Sequence, residues 1–190
     1  MIRWAPLLLL ALAGCNGCAS TPNTLDTLRA SALRLKFTTG ICGGTAIGPN
    51  KVLTAKHCLA AGALVSVNDR KVEPGEVVEL AADVATIEVT GITFKHIATI
   101  GGQPAQGDRV RWFGHPGGAS FLFRTGYVVR AWTDEIVIDS QAFSGDSGSG
   151  VWDDRGRLIG VLSSMRALNT VADGNLYRIQ FAVAIPVAAP

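Results

Sequence analysis

Residues 42–58 read Cys-Gly-Gly-Thr-Ala-Ile-Gly-Pro-Asn-Lys-Val-Leu-Thr-Ala-Lys-His-Cys, so His57 directly follows the end of an apolar strand. A second segment, residues 143–152, reads Phe-Ser-Gly-Asp-Ser-Gly-Ser-Gly-Val-Trp and places Ser147 in a glycine-rich turn before another strand. Between them, Asp83 stands at the start of the apolar run Val-Ala-Thr-Ile-Glu-Val. An imidazole, a carboxylate and a hydroxyl therefore each lie at the end or the start of a predicted strand.

These three side chains are the parts that acyl transfer requires. A serine hydroxyl attacks weakly at neutral pH and needs a base to take its proton, while a carboxylate orients that base and stabilises its protonated form. Glycines around the serine let backbone N–H groups converge on a developing oxyanion. Taken alone, His57 could be a core histidine and Ser147 a turn serine, but their combination in one chain favours nucleophilic catalysis.

The acidic partner of His57 has two candidates, Asp83 and Asp69. Asp69 lies in the run Asn-Asp-Arg, which is typical of a hairpin tip, and turn chemistry accounts for it there. Asp83 precedes a strand and has no such explanation, so Asp83 is favoured.

Composition predicts one all-β domain. The chain has 190 residues, of which 48% are hydrophobic and 17% charged, and this excludes a disordered chain. With 22 Gly, 8 Pro and 2 Met, many short strands and turns fit better than a helical bundle. The net charge of +2 is scattered along the chain, so nucleic acid is not an expected partner.

Short strands separated by turns are predicted in both halves of the chain. Residues 24–34 fit a short helix or an edge strand equally well, because their periodicity does not separate the two. The predicted strands cover residues 30–37, 45–48, 51–55, 64–67, 71–80, 84–89, 109–113, 121–132, 135–139, 150–153, 157–163 and 178–185.

The N-terminus has the pattern of an export signal. Residues 1–14 contain Arg3 and then the apolar run 7–13, which is too short to span a bilayer. Leu-Ala-Gly-Cys at residues 12–15 resembles a bacterial lipobox, so we expect Cys15 to carry lipid and anchor an exported protein to the cell envelope. The alternative is an ordinary secretory signal that is cleaved near Ala19.

The other cysteines divide into two groups. Cys18 lies three residues after Cys15 in a polar tether, and this spacing matches a thiol redox pair, although such a motif needs a βαβ context that is missing here. Cys42 and Cys58 remain, and export to an oxidising compartment favours a disulfide between them.

The motifs around His57, Asp83 and Ser147 resemble those of the chymotrypsin-like serine peptidases, over roughly residues 36–186. The resemblance implies two six-stranded antiparallel barrels with the active site in the cleft between them. It implies that His57 is the general base, Asp83 the orienting acid and Ser147 the nucleophile. The amides of Gly145 and Ser147 would form the oxyanion hole. The expected organisation is a signal peptide at 1–14, a lipidated tether at 15–34 and a peptidase domain at 35–190.

Two departures from the family pattern bear on mechanism. Ser149 stands where many members have glycine, so a side chain lies beside the oxyanion turn. The sequence also lacks an Arg/Lys-Ile-Val-Gly-Gly segment, whose freed amino group pairs with the aspartate before the nucleophile in relatives that are activated by cleavage. Asp146 must therefore find another donor, and we expect an enzyme that is active as folded or is regulated by a partner.

The resemblance also implies a specificity pocket. Gln141, six positions before the nucleophile, would form its base, and Ser163 and Met165 would form its wall. Gln141 carries no charge, so we expect small or medium uncharged residues before the scissile bond, within a protein or peptide substrate. No cofactor and no metal are expected, and His96 and His115 are interpreted as a surface residue and a turn residue.

Three other function classes are less consistent with these motifs. A catalytically impaired fold that binds peptides would usually show a broken triad, and all three residues are present here. An esterase could use the same nucleophile. A redox protein built on Cys15 and Cys18 would leave the His57, Asp83 and Ser147 motifs without a role.

Overall fold

The computed structural model describes residues 24–80, 82–173 and 175–187. The predicted signal peptide at residues 1–14, and Cys15 and Cys18, lie outside this described part. One helix and thirteen strands form the described fold, together with two short 3₁₀ turns. Among these residues, no helix has both the length and the apolar character needed to cross a bilayer.

Strands β1 to β7 form a seven-stranded antiparallel sheet in the order β5-β4-β1-β2-β3-β7-β6. Helix α1 (Thr24–Ser31) precedes this sheet, and a 3₁₀ helix (Lys56–Ala61) follows its third strand. The strands are β1 (Ala32–Phe37), β2 (Ile41–Gly48), β3 (Lys51–Thr54), β4 (Leu64–Val67), β5 (Arg70–Lys71), β6 (Glu73–Glu79) and β7 (Ala85–Thr90).

The second half closes into a six-stranded antiparallel barrel in the order β10-β13-β12-β11-β8-β9. A 3₁₀ turn (Pro116–Gly118) follows its first strand. The strands are β8 (Arg109–Gly114), β9 (Leu122–Ala131), β10 (Ile136–Ile138), β11 (Gly150–Asp153), β12 (Leu158–Ala172) and β13 (Asn175–Pro186). The expected all-β architecture of two antiparallel barrel-like sheets is confirmed, but the first sheet has seven strands where six were expected.

Local sequence explains a two-residue hairpin of the first sheet. Asn68 and Asp69 join β4 to β5, and both have positive φ, 49° and 63°. A two-residue turn with both φ values positive matches the right-handed twist of the flanking strands, and Asn and Asp adopt it at low cost. Asp69 is therefore a turn residue, as its sequence context predicts, and its carboxylate binds Arg34 at 2.6 Å.

Of the two structures that the sequence left open for residues 24–34, the short helix forms, and the strand that follows it is interior to the sheet instead of at its edge. Thr24–Ser31 is helical, with Asp26 in the first turn and Arg29 in the last, where each charge favours the helix dipole. The strand begins at Ala32. Leu28 and Leu33 are buried in the core, so the folded unit begins before the boundary expected at residue 35.

The two halves share contacts through the core and through the crossing segment 91–108. Ala98 N–H donates to Ala46 O at 2.8 Å in the first sheet, and Leu158 N–H donates to Thr99 O at 2.8 Å in the second. His115 adds a further link because its Nε2 lies 3.2 Å from Leu33 O of β1. The largest fully buried side chains come from both halves and include Trp112, Trp152, Phe37, Leu33, Leu35, Ile87 and Ile136.

His115 lies in the predicted turn, yet it is completely buried. Its Nδ1 accepts the Phe121 N–H at 3.2 Å, and its ring meets the Phe121 ring edge-on at 4.7 Å between centroids. Burial lowers the pKa of His115 to about 4. The side chain is therefore a neutral structural group that holds the 115–121 turn against β1.

Candidate active site

His57 is positioned at the point where β3 ends. The chain passes from Thr54 into the 3₁₀ helix at Lys56, and His57 is its second residue. The next residue, Cys58, is bonded to Cys42 of β2 through a disulfide, as predicted. This covalent link ties the histidine turn to the sheet.

Asp83 lies in the loop between β6 and β7, and both of its carboxylate oxygens contact His57. Its Oδ1 accepts the His57 backbone N–H at 2.8 Å, and its Oδ2 lies 2.7 Å from His57 Nδ1. Its own carbonyl accepts the Lys56 N–H at 3.2 Å. Ala82, with φ of 58°, makes the sharp turn that directs Asp83 toward the histidine. The Oδ2 contact thus orients the imidazole, and the other two contacts fix the backbone of Lys56 and His57.

Ser163 is the third partner of this carboxylate. Its hydroxyl donates to Asp83 Oδ2 at 2.6 Å across 80 residues of sequence. Burial works to raise the pKa of Asp83, but the hydrogen bonds from Ser163 and His57, with the charge of His57, hold it below its ordinary value. The site therefore favours an ionised Asp83.

Ser147 approaches from the second barrel, in the turn before β11. Gly145 and Gly148 flank it with φ values of 100° and 82°, which side chains rarely adopt. A Cβ at Gly148 would overlap the Thr54 hydroxyl and the Gly43 carbonyl, so glycine is required at this contact. The Ser147 carbonyl also accepts the Gly43 N–H at 2.7 Å. The serine turn is thereby seated on β2 and on the end of β3, three residues before His57.

The backbone amides of Gly145 and Ser147 are free. Within residues 24–80, 82–173 and 175–187, neither amide donates a hydrogen bond, and no hydrogen bond joins the Ser147 hydroxyl to His57. The Ser144 carbonyl accepts the Gly117 N–H at 2.9 Å. Because a trans peptide directs its C=O and N–H in opposite directions, the Gly145 N–H is turned away from Gly117 and is available to a ligand.

The sequence matches a known protein family over most of the described residues. A family model for the trypsin-like peptidase domain matches residues 38–161. The chain belongs to this family. No curated protein matches the sequence closely enough to count as a relative.

Solved structures of two proteases share this fold at low sequence identity. An inactive form of Rv3671c from M. tuberculosis has a TM-score of 0.68 at 19% identity, over 86% of this chain and 84% of that one. The active form of the same protease has a TM-score of 0.68 at 17% identity, over 98% and 88%. A Glu endopeptidase has a TM-score of 0.64 at 22% identity, over 84% and 86%. This chain therefore has the fold of the trypsin-like serine proteases.

A groove of about 250 Å³ opens beside the turn that holds Ser147. Of the residues proposed from the sequence for the specificity pocket, Ser163 and Met165 line it, whereas Gln141 is exposed and is not part of its lining. The neighbouring residue, Ala142, is buried and takes that place because successive residues point to opposite sides of an extended chain. The groove is lined by Ala142, Phe143, Ser144, Ser147, Leu162, Ser163, Ser164 and Met165.

Asp146, which precedes Ser147, pairs with a cation from the same barrel, Arg124 of β9. Its carboxylate is 1% exposed, and its Oδ2 accepts the Phe143 N–H at 2.9 Å and lies 3.5 Å from Arg124 Nη1. The Arg124 guanidinium also lies over the Phe143 ring, 4.9 Å from its centroid. Burial raises the pKa of Asp146, while Phe143 and Arg124 work to lower it. Arg124 is thus the donor that the sequence required but did not identify.

Ser149 does not face the free amides. Its side chain is buried against Gly43 of β2, where a Cβ on the glycine would overlap the Ser149 hydroxyl. Its backbone closes the turn, because its N–H donates to Asp146 O at 3.1 Å and its carbonyl accepts the Leu162 N–H at 2.8 Å. The departure from glycine is therefore accommodated by a glycine on the facing strand.

Sequence reasoning missed two contributions to this site. Arg124 interrupts the apolar run Phe-Leu-Phe at residues 121–123, and a lone cation in such a run is the signal that could have found it. Ser163 was predicted for the pocket wall, and nothing local indicates its bond to Asp83. In the described part of the chain, no group of three or more His, Cys, Asp or Glu side chains is arranged to hold a metal ion.

Proposed function

We propose that this chain is a serine endopeptidase that cleaves peptide bonds through an acyl-enzyme, with His57, Asp83 and Ser147 as its catalytic residues. The observation that carries the proposal is the pairing of His57 with Asp83, whose carboxylate is bonded to Ser163 in the lining of the groove that also holds Ser147. Each group has a role in acyl transfer, and the family of the chain is one of peptidases.

The reaction follows from these positions. Ser147 Oγ bonds to the substrate carbonyl carbon as His57 Nε2 takes the hydroxyl proton. The C–N bond then breaks, and His57 returns the proton to the leaving amine. Water attacks the resulting ester with the same proton transfers, which releases the acid and restores Ser147. In the free enzyme, the bond between base and nucleophile is often long and tightens when substrate binds.

Charge develops on two atoms during this reaction, and the site provides for both. The amides of Gly145 and Ser147 would donate to the oxyanion, and preorganised donors of this kind each contribute about 10²–10³-fold in rate. Asp83 would stabilise the positive charge on His57. Its lowered pKa keeps the carboxylate ionised for that purpose.

The groove favours an uncharged residue before the scissile bond. Ala142, Leu162 and Met165 present apolar surface to it, and the described residues that line it include no charged side chain. Small or medium side chains such as Ala, Val or Leu would bury apolar area there, whereas Arg, Lys or Glu would lose hydration without a partner. A peptide-library profile dominated by a charged residue at this position would contradict this preference.

The proposal includes anchoring through lipid at Cys15 on the exported side of a membrane. Its support is the lipobox-like stretch at residues 12–15. Two or more acyl chains at this cysteine would hold the protein firmly on a bilayer. Mass spectrometry of the mature N-terminus should find acyl mass on Cys15, and the Cys15→Ala protein should no longer sediment with membranes. Unmodified Cys15 in protein recovered from the envelope would refute this part.

A fluorophosphonate probe tests the catalytic proposal directly, because it bonds covalently to an activated serine. We expect the probe mass on the wild type and on Ser144→Ala, which removes another hydroxyl of the same groove. Ser147→Ala should remain unlabelled. Equal labelling of wild type and Ser147→Ala, or no labelling of either, would overturn the proposal.

A further inference from the structure

Strand β12 is paired on both sides only near its beginning. Leu158, Gly160 and Val161 pair with β11, while pairing with β13 continues to Ala172. In the described structure, no strand pairs with the other edge of residues 163–172. A long open strand edge therefore starts at the groove and runs away from the barrel.

The register identifies which backbone groups face this open edge. The Ala182 N–H donates to Ser140 O at 2.7 Å, away from β12, so Met165 and Ala182 form a pair that exchanges no hydrogen bonds. The register continues without a shift beyond this pair. Every second residue of β12 has the same orientation, so the free N–H and C=O groups belong to Met165, Ala167, Asn169 and Val171.

This edge lacks the features that usually prevent strand addition. Natural edge strands are protected by charges, prolines or bulges. Between residues 164 and 172 the charged residue is Arg166, and both of its Nη atoms bond to Glu135 at 2.9 and 2.8 Å. Val171 is 69% exposed and Leu168 is 54% exposed. An edge whose one charge is paired with Glu135, and which exposes apolar side chains, is thus left open to a ligand.

The open edge is continuous with the groove at Met165, which lines it together with Ser147. Side chains alternate along a strand, so Met165, Ala167, Asn169 and Val171 share the face that borders the groove. A polypeptide that pairs antiparallel with β12 has its C-terminal end near Ser147 and its N-terminal end near Val171. From Met165 to Val171 such a strand covers about 20 Å.

We propose that Ala167, Asn169 and Val171 form an extended binding site for the part of the substrate that lies far upstream of the cleaved bond. The ligand is an extended polypeptide with alternating apolar side chains, and it binds by adding a strand to β12. With the third upstream residue opposite Met165, the residues about five, seven and nine positions upstream lie opposite these three. This inference rests on the proposed peptidase function.

The test compares two fluorescence-quenched peptides with the same residues around the cleaved bond. The short peptide begins three residues upstream, and the long peptide begins nine residues upstream with apolar residues at alternate positions. Wild-type protein should cleave the long peptide with a kcat/KM at least about tenfold higher, since several added backbone hydrogen bonds are each worth about 0.5–1.5 kcal/mol. Adding the same six residues downstream should give no such gain.

Asn169→Pro and Arg178→Pro make a matched pair of variants. The two residues lie opposite each other in the hairpin, and each proline removes an N–H that the β12–β13 ladder does not use. Asn169 faces the open edge of β12, whereas Arg178 faces the opposite side of the hairpin. Asn169→Pro should reduce the long-to-short ratio to below about threefold, and Arg178→Pro should retain it.

A change in the peptide provides the same test without altering the protein. N-methylation of the fifth and seventh upstream residues removes the amides that would face β12, and it should abolish the gain. N-methylation of the sixth and eighth residues should preserve most of it. Equal kcat/KM values for the long and the short peptide would overturn the proposal. So would equal effects of Asn169→Pro and Arg178→Pro, or a larger gain from the downstream extension.

Failure of the peptidase function would be recognised separately. If neither peptide is cleaved, or Ser147→Ala cleaves as well as wild type, the proposed function fails. Binding of the labelled long and short peptides to Ser147→Ala, measured by fluorescence anisotropy, then decides the edge site alone. Binding of the long peptide that is at least about tenfold tighter and is lost in Asn169→Pro supports the site, and equal binding overturns it.

Discussion

His57 and Ser147 belong to the two different halves of the chain, and each half holds its residue by different physical means. His57 is oriented by Asp83, and these two side chains are 47% and 26% exposed. The Ser147 turn is held by Asp146, whose carboxylate is 1% exposed, and by glycines that fit against facing strands. Water can replace a lost partner at the first location but not at the second. Loss of a supporting group should therefore be costlier on the Ser147 side.

The largest expected effect is on kcat, because catalysis requires His57 and Ser147 to act together. Ser147→Ala and His57→Ala should each reduce kcat by at least about 10⁴-fold, and the double variant should be hardly worse, because the members of a catalytic unit do not contribute additively. Initial rates with a cleavable peptide measure this. Independent, additive losses would show that the two residues do not belong to one mechanism.

Arg124→Met tests how the buried Asp146 carboxylate supports the Ser147 turn. It leaves the Asp146 carboxylate without its cation, and removing one partner of a buried pair costs about 3–5 kcal/mol. Arg166→Met is the control, because Arg166 is 53% exposed in its pair with Glu135, and such surface pairs contribute about 0–1 kcal/mol. Urea unfolding of both variants measures the difference. Equal losses would contradict the comparison.

The same variant has a pH dependence of defined sign. Burial raises the pKa of Asp146 above its ordinary value, so at a pH between these two pKa values the folded chain holds a proton that the unfolded chain releases. Stability therefore falls as pH rises from the ordinary value through the folded-state pKa. Without Arg124, that folded-state pKa moves further upward, so the deficit of Arg124→Met should shrink in acid and grow toward neutral pH.

The disulfide tests how the His57 side is anchored. Cys42 and Cys58 are separated by 16 positions, and closing such a loop is worth about 3 kcal/mol in the chain-entropy model. Replacing both by Ala should lower the free energy of unfolding by about this amount, less any strain. Wild-type stability in the double variant, measured by the same urea unfolding, would show that the bond does not constrain this region.

The smallest effect is expected from Ser163→Ala, which removes one donor from the partly exposed Asp83. A hydrogen bond to a charged group is worth about 1.5–3 kcal/mol when buried, and solvent reduces this here, so kcat should fall about tenfold. The pKa of Asp83 should rise toward its ordinary value. Ser164→Ala, which lines the same groove, is the control. Equal kinetics of the two variants would remove the role of Ser163.

The sequence identified the catalytic candidates because their signals are local. A histidine after an apolar strand and a serine among glycines each occupy fewer than twenty consecutive residues, and the Asn68–Asp69 turn was predictable for the same reason. Strand ends were less predictable. The sequence predicted strands at 157–163 and 178–185, but β12 and β13 extend to meet at residues 172 and 175, because the exposed hairpin between them lacks a clear buried face.

Contacts between distant segments could not be predicted from the sequence. Arg124 reaches Asp146 across 22 positions and Ser163 reaches Asp83 across 80, and no periodicity encodes either distance. The position of Ala142 rather than Gln141 in the groove depended on which face of an irregular segment turned inward. The fit of Ser149 against Gly43 likewise depended on how the two halves pack.

By itself, the sequence determined the all-β class, the three catalytic candidates and the cysteine pair, because strand patterning, turn chemistry and reactive motifs reside in neighbouring residues. Only the tertiary structure decided what surrounds them. It brings Arg124 to Asp146 and Ser163 to Asp83, and it determines which residues line the groove and which edge of β12 stays open. These depend on burial and register between segments far apart in the chain, where free energy comes from the packed fold and not from local preference.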